Sequence, residues 1–192
     1  EAEYLLELED PLSEPLQVKI EKIKNLRENS KDVYSRNFKP TTDTDTLKKK
    51  YSDIDNQQKI EEVFLLAGRI MIFRKHGKAT FSMIKDFSGQ IQLYLNINNV
   101  GEEKYNEFLS LDIGDIIGVE GKIFKTHTNE LTINVKDFIL LSKSLRVFPE
   151  KWHGLKDKET RYRQRYLDFI VNPDVKKAFL IRIKMIEAFR EF

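Results

Sequence analysis

Two short runs on either side of Asp86-Phe87-Ser88-Gly89 constrain the fold of this chain more than any other feature. Ser82 and Ile84, then Ile91, Leu93 and Leu95, suit a core. They alternate with Phe81, Met83, Lys85, Gln92 and Tyr94, which point the other way. Alternation with period two in both runs is the signature of a half-buried β-hairpin. The four residues between them have turn chemistry, with Gly89 free to take positive φ. Upstream, Phe64 to Lys75 is apolar and β-branched, interrupted at Gly68, where a long strand is expected to bulge. Downstream, Glu102 to Leu111 reads as a helix. Ile113 to Lys125 follows as a strand, with Ile117, Val119 and Ile123 in one parity. After a turn at Thr126 to Asn129, Glu130 to Lys136 alternates Leu131, Ile133 and Val135 against polar residues, and Asp137 to Leu141 finishes the sheet.

Three strands, a helix and two strands make the order of a five-stranded OB-fold barrel, so the expected class is mainly β with flanking helices. Its outer face would carry an aromatic, an amide, basic groups and a carboxylate. Phe81 is a stacking platform for an unpaired base, and Gln92 donates to and accepts from a base edge at once. Arg74 serves a base or a phosphate, although the alternation does not fix which way it faces. Lys75, Lys78 and Lys85 are the lysines of this region. Composition and spacing leave this open against a plainer reading, with Phe81 in the core and the lysines on an ordinary solvated face.

Three segments go further. AGRIMIFRKHGKATFSMIKDFSGQIQLYL, GDIIGVEGKIFKTHTNELTI and FPEKWHGLKDKETRYRQRYLDFI resemble the amino-terminal anticodon-binding region and hinge of bacterial-type class II lysyl-tRNA synthetases. The resemblance runs from about Leu16 to the last residue. The hinge pattern HGL-x-D-x-E-x-RYRQRYLD favours the lysine enzymes, whereas the barrel pattern is shared with the aspartate and asparagine enzymes. The resemblance implies that Phe81 stacks on anticodon bases and Gln92 reads the central uracil, with Arg74 and Glu130 also at the anticodon. Lys75, Lys78, Arg161 and Arg165 are candidates for the tRNA backbone. It further implies tRNA(Lys) as partner, a homodimeric full-length parent in the cytoplasm, and ATP with Mg²⁺ for lysine activation at sites outside this chain.

The remaining sequence fits around the barrel. Residues 1–62 contain 11 basic and 15 acidic residues, a net of −4, while residues 63–192 contain 22 and 16, a net of +6. The basic surface therefore belongs to the barrel and the segments C-terminal to it. With no cysteine there is neither a disulfide framework nor a thiolate metal site. His76, His127 and His153 have no partner at ligand spacing, so no metal site is expected. No run is long enough to span a membrane.

Ser13 and Pro15 open a helix whose Leu16, Ile20, Ile23 and Leu26 share a face, ending near Asn29; in the resembled family this helix sits near the anticodon stem. Thr41 to Thr46 is a polar loop into a brief helix, Leu47 to Asp53, and Lys48 to Lys50 is a charge run facing solvent or phosphate. Trp152 suits an anchor between packed domains. Arg161 to Ile170 reads as helix. Pro173 starts a last helix, with Asn172 as its candidate cap and two apolar stripes, so it is expected to be buried on more than one side. It resembles the opening of class II motif 1. The chain contains no P-loop, carboxylate cluster or nucleophile pair, so no catalytic residue is expected here. The expected organisation is a helical extension (1–62), the barrel (63–143), a linker and hinge (144–172) and the start of a catalytic domain (173–192). The competing functional reading is a general single-strand-binding OB protein, indifferent to base identity.

Overall fold

The computed structural model describes residues 14–29, 32–52, 54, 59–145, 155 and 157–192. The chain divides into two compact units, Glu1–Val147 and Phe148–Phe192.

The first unit is built on five strands: β1 (Lys59–His76), β2 (Ala79–Lys85), β3 (Gln90–Asn96), β4 (Ile116–Lys125) and β5 (Leu131–Ser142). They close in the order β1-β2-β3-β5-β4. All neighbours are antiparallel except β3 with β5. Closure leaves no open edge to template aggregation. The expected core parity holds: Ile84, Ile91, Leu93, Leu95, Ile117, Val119, Ile123 and Ile133 are fully buried, each worth about 1.5–3 kcal/mol by transfer from water.

The 18-residue β1 serves both walls. Its first part pairs with β4 through Arg69↔Ile116, and its last part pairs with β2 from Arg69↔Lys85 to His76↔Ala79. The register shifts between Ile70 and Ile72, so the bulge is at Met71 rather than at Gly68. Gly68 is needed for closeness instead. A Cβ there would stand 3.1 Å from Ile84 Cβ and 3.2 Å from the Lys85 carbonyl. Gly89 does not use its freedom to take positive φ. The Asp86 carboxylate makes that turn by accepting from the Ser88 and Gly89 N–H groups, both at 2.7 Å.

Among the described residues, three short helices and one longer one surround the barrel. Helix α1 (Glu14–Glu28) buries Ile20 and Ile23 as its pattern requires; Ser13, its expected cap, lies outside the described residues. Helix α2 (Thr44–Lys50) begins a turn earlier than expected. Asp43 caps it, accepting from the Asp45 and Thr46 N–H groups at 3.0 Å. Thr44 ties α2 to the hairpin turn, its N–H and hydroxyl donating to Asp86 at 2.8 and 2.9 Å. Helices α3 (Ile97–Val100) and α4 (Glu102–Leu109) connect β3 to β4, and Phe108 of α4 packs against Phe73 and Phe138.

A buried ionic cluster fastens the loop before β4. Lys143 is 1% exposed and donates to Asp112 at 2.5 Å and to the fully buried Asp115 at 2.6 Å. Lys22 of α1 reaches Asp112 at 2.7 Å. Burial opposes ionisation of Asp112, but the Lys143 and Lys22 ammonium groups outweigh it and hold the carboxyl below its ordinary range.

The second unit contains α5 (Lys158–Arg163), α6 (Arg165–Val171) and α7 (Pro173–Glu191). The single expected helix over 161–170 is therefore two, broken at Gln164. Asn172 stands at the N-cap position of α7, as expected, but its side chain makes no capping hydrogen bond. Its amide instead donates to Asp168 at 2.7 Å. No residue of α7 is buried in this chain, contrary to the expectation from its two stripes, and Ile181, Ile183, Met185 and Phe189 are exposed. Trp152 and His153 lie outside the described residues.

Candidate nucleic-acid interface

The bulge at Met71 builds the interface. Before it, even-numbered residues of β1 point inward, as in the fully buried Leu66 and Ile70. The extra residue reverses the parity. Phe73 then packs against the core, with its ring centroid 4.9 Å from that of Phe108. Arg74 is left exposed, directly across from Phe81.

Ile72, Arg74 and His76 from β1, Phe81 from β2, Gln92 from β3 and the Thr126–Thr128 turn line one cleft of about 360 Å³. Of the residues singled out from sequence, Arg74, Phe81 and Gln92 meet here. Phe81 is half-buried, with the ring of Tyr94 at 5.1 Å and that of His76 at 6.2 Å. These neighbours fix the plane of an aromatic platform. Gln92 Nε2 donates to the buried Thr132 hydroxyl at 3.1 Å, and that hydroxyl donates to the Glu130 carbonyl, also at 3.1 Å. One of the amide's four hydrogen-bonding positions is thereby used to orient it.

Glu130 stands at the entry to β5, with its backbone clamped by Thr126. The Thr126 N–H donates to the Glu130 carbonyl and the Glu130 N–H to the Thr126 hydroxyl, both at 3.1 Å. Asn129 completes the turn at φ 63°. Lys75 and Lys78 are exposed around Gly77 in the β1–β2 turn, and neither lines the cleft. In the second unit, Arg161 of α5 and Arg165 of α6 both bind Asp168 of α6, at 2.9 and 2.5 Å; the first pair ties α5 to α6 and the second lies within α6. Burial opposes the charge on Asp168, but hydrogen bonds from Asn172 and Arg161 hold its carboxyl below the ordinary range.

The structure adds residues that periodicity and spacing did not single out for binding. His76 and His127, considered only as metal ligands, both line the cleft. Thr132 counted only as an outward polar residue of β5, and its position under Gln92 depends on the parallel β3–β5 pairing Gln92↔Thr132. Nothing local in the sequence signals that long-range register. Among the described residues no group of three or more His, Cys, Asp or Glu side chains is placed to hold a metal ion, and no helix is long and apolar enough to cross a membrane.

A closed five-stranded barrel with an aromatic ring, an oriented amide and an arginine on one face has the architecture of an OB-fold. Residues 64–141 match the model of the OB-fold nucleic acid binding domain. Over nearly its full length the chain is similar to proteins named lysine–tRNA ligase. It is 45% identical to the one from Moorella thermoacetica over 187 residues, 97% of this chain and 37% of the relative. It is 50% identical to that of a Thermoanaerobacter species over 184 residues, covering 95% and 36%. The Bacillus subtilis protein is 44% identical over 185 residues, covering 95% and 37%. The chain thus spans little more than a third of the length of these curated relatives.

Proposed function

We propose that this chain is the tRNA-recognising part of a lysine–tRNA ligase and that its barrel reads the anticodon of tRNA(Lys). Phe81 stacks on an anticodon base, Gln92 reads the central uracil, and Arg74 and Glu130 contact the flanking anticodon bases. The observation that carries this reading is the meeting of Arg74, Phe81 and Gln92 in one cleft, in a chain 44–50% identical to lysine–tRNA ligases. Lys75 and Lys78 meet the phosphate chain. Arg161 and Arg165 act on tRNA through the hinge shape that their Asp168 pairs maintain.

The proposed organisation is a helical extension over 1–62, the barrel over 63–143, a linker and hinge over 144–172 and the start of a catalytic domain from 173. In the full-length parent, lysine is activated with ATP and Mg²⁺ and transferred to the tRNA end. The exposed apolar stripes of α7 pack there against the rest of the enzyme, in a cytoplasmic homodimer. The chain itself supplies binding and no catalytic residue.

Binding of the chain to stem-loops with anticodons UUU, GUC, GUU and UCU, monitored by fluorescence anisotropy at two salt concentrations, tests the proposal. Preference for UUU, lost when the central uracil is changed, is the expected result. Preference for GUC or GUU would move the assignment to the aspartate or asparagine enzymes. Equal binding to all four, varying only with salt, would leave a general single-strand-binding barrel.

A further inference from the structure

The face that holds the Phe81–Gln92 cleft does not end there. Side chains two residues apart on β3 stand about 6.7 Å apart on one side of the sheet, so a strand of RNA laid along it meets Gln92, then Tyr94, then Asn96. Beyond Tyr94 lies a second cavity of about 470 Å³, whose lining includes Tyr94, Asn96, Asn99, Lys122, Phe124 and Asn134. The aromatic row continues into it, with the Tyr94 ring 5.1 Å from Phe81 on one side and 5.9 Å from Phe124 on the other.

The polar groups are those that read a base edge. Asn99 Nδ2 donates to Asn134 Oδ1 at 3.1 Å, and Asn96 Nδ2 donates to the Tyr94 hydroxyl at 3.0 Å. The first pair leaves an amide N–H on Asn134 and the carbonyl of Asn99 without a protein partner among the described residues. A donor and an acceptor side by side can pair with a base. Lys122, paired with Glu61, supplies a cation at the rim. Faces for stacking, amides for an edge and a cation for a phosphate suit a nucleotide.

We propose that this second pocket binds one further nucleotide of the same RNA loop, next to the bases read at the Phe81–Gln92 cleft. Its base packs against Tyr94 and Phe124, and its edge meets Asn99 and Asn134. This inference rests on the anticodon reading and adds a subsite to it.

The test is an abasic scan. Each loop position of the UUU stem-loop is made abasic in turn, and binding is measured for the chain, for Asn134→Ala and for Asn99→Ala; the last changes an exposed side chain and leaves the fold intact. The chain is expected to lose affinity at one loop position outside the three anticodon bases. Both variants are expected to bind the unmodified loop roughly fivefold more weakly, to become indifferent to that one position, and to keep their preference for UUU over UCU. Wild-type affinity in both variants, or unchanged sensitivity at every flanking position, overturns the subsite while leaving the anticodon reading standing. Absence of any preference for UUU over UCU in the chain itself overturns both.

Discussion

Gln92 Nε2 donates to Thr132 Oγ1 at 3.1 Å, so an amide that faces the cleft is held by a hydroxyl buried beneath it. Thr132→Val removes the hydroxyl at nearly constant volume. The amide then samples other rotamers, and the preference for UUU over UCU is expected to fall roughly fivefold, the worth of one hydrogen bond. Dependence on salt is expected to stay as it was. Anisotropy titrations of both stem-loops measure the two quantities together, and an unchanged preference would show that Gln92 needs no such support.

Phe81→Ala removes the platform that His76 and Tyr94 hold in place. Binding of the UUU stem-loop is expected to weaken by about 1–3 kcal/mol, with little change for Phe81→Tyr. Equal affinity in all three proteins would mean that no base stacks there.

Lys75 and Lys78 are exposed at the β1–β2 turn. Each contact with a phosphate of a single strand adds about 0.7 to the slope of log affinity against log salt. Lys75→Ala and Lys78→Ala are each expected to flatten the slope by that amount and to leave the order of preference among anticodons unchanged. Titrations at several salt concentrations check this, and a wild-type slope in either variant removes that lysine from the phosphate path.

Lys143 is buried against two carboxylates, Asp112 and Asp115. Lys143→Met leaves Asp115 buried without its cation, and stability is expected to drop by about 3–5 kcal/mol. Urea unfolding measures the loss. A variant as stable as the parent would mean that the carboxylates take up protons or water without cost.

Asp43 is held at about 2, below the ordinary 3.8, by the Thr46 N–H, the Thr46 hydroxyl and then Ser88. Asp86 is also lowered: burial opposes its charge, and the Thr44 and Gly89 N–H groups prevail. A carboxyl with a depressed value in the fold stabilises the fold above its unfolded value and loses that contribution as pH falls through its folded one. Stability is therefore expected to decline as pH falls from 3.8 towards about 2. Urea midpoints across that range give the curve, and in Asp43→Asn the last part of the decline should flatten.

Period-two burial is a local pattern, and together with the order of strands and helix it points to the barrel. Ile84, Ile91, Leu93 and Leu95 cannot leave the core without exposing a whole face. The same pattern singled out Phe81 and Gln92, which lie on strands whose alternation is unbroken. Arg74 was different. One extra residue at Met71 reverses the facing of everything after it on β1, and only the pairing of β1 with β2 decides where that residue goes. What Gly89 and Asn172 do is likewise decided by neighbours. Asp86 makes the hairpin turn, and Asp168 draws Asn172 away from the helix it precedes. Thr132 beneath Gln92, His127 at the cleft and the amides around Tyr94 depend on closing β5 against β3, a contact between residues 40 apart in the chain. Local periodicity determines which residues share a face, but long-range register and closure decide which faces meet. The site is made of meeting faces.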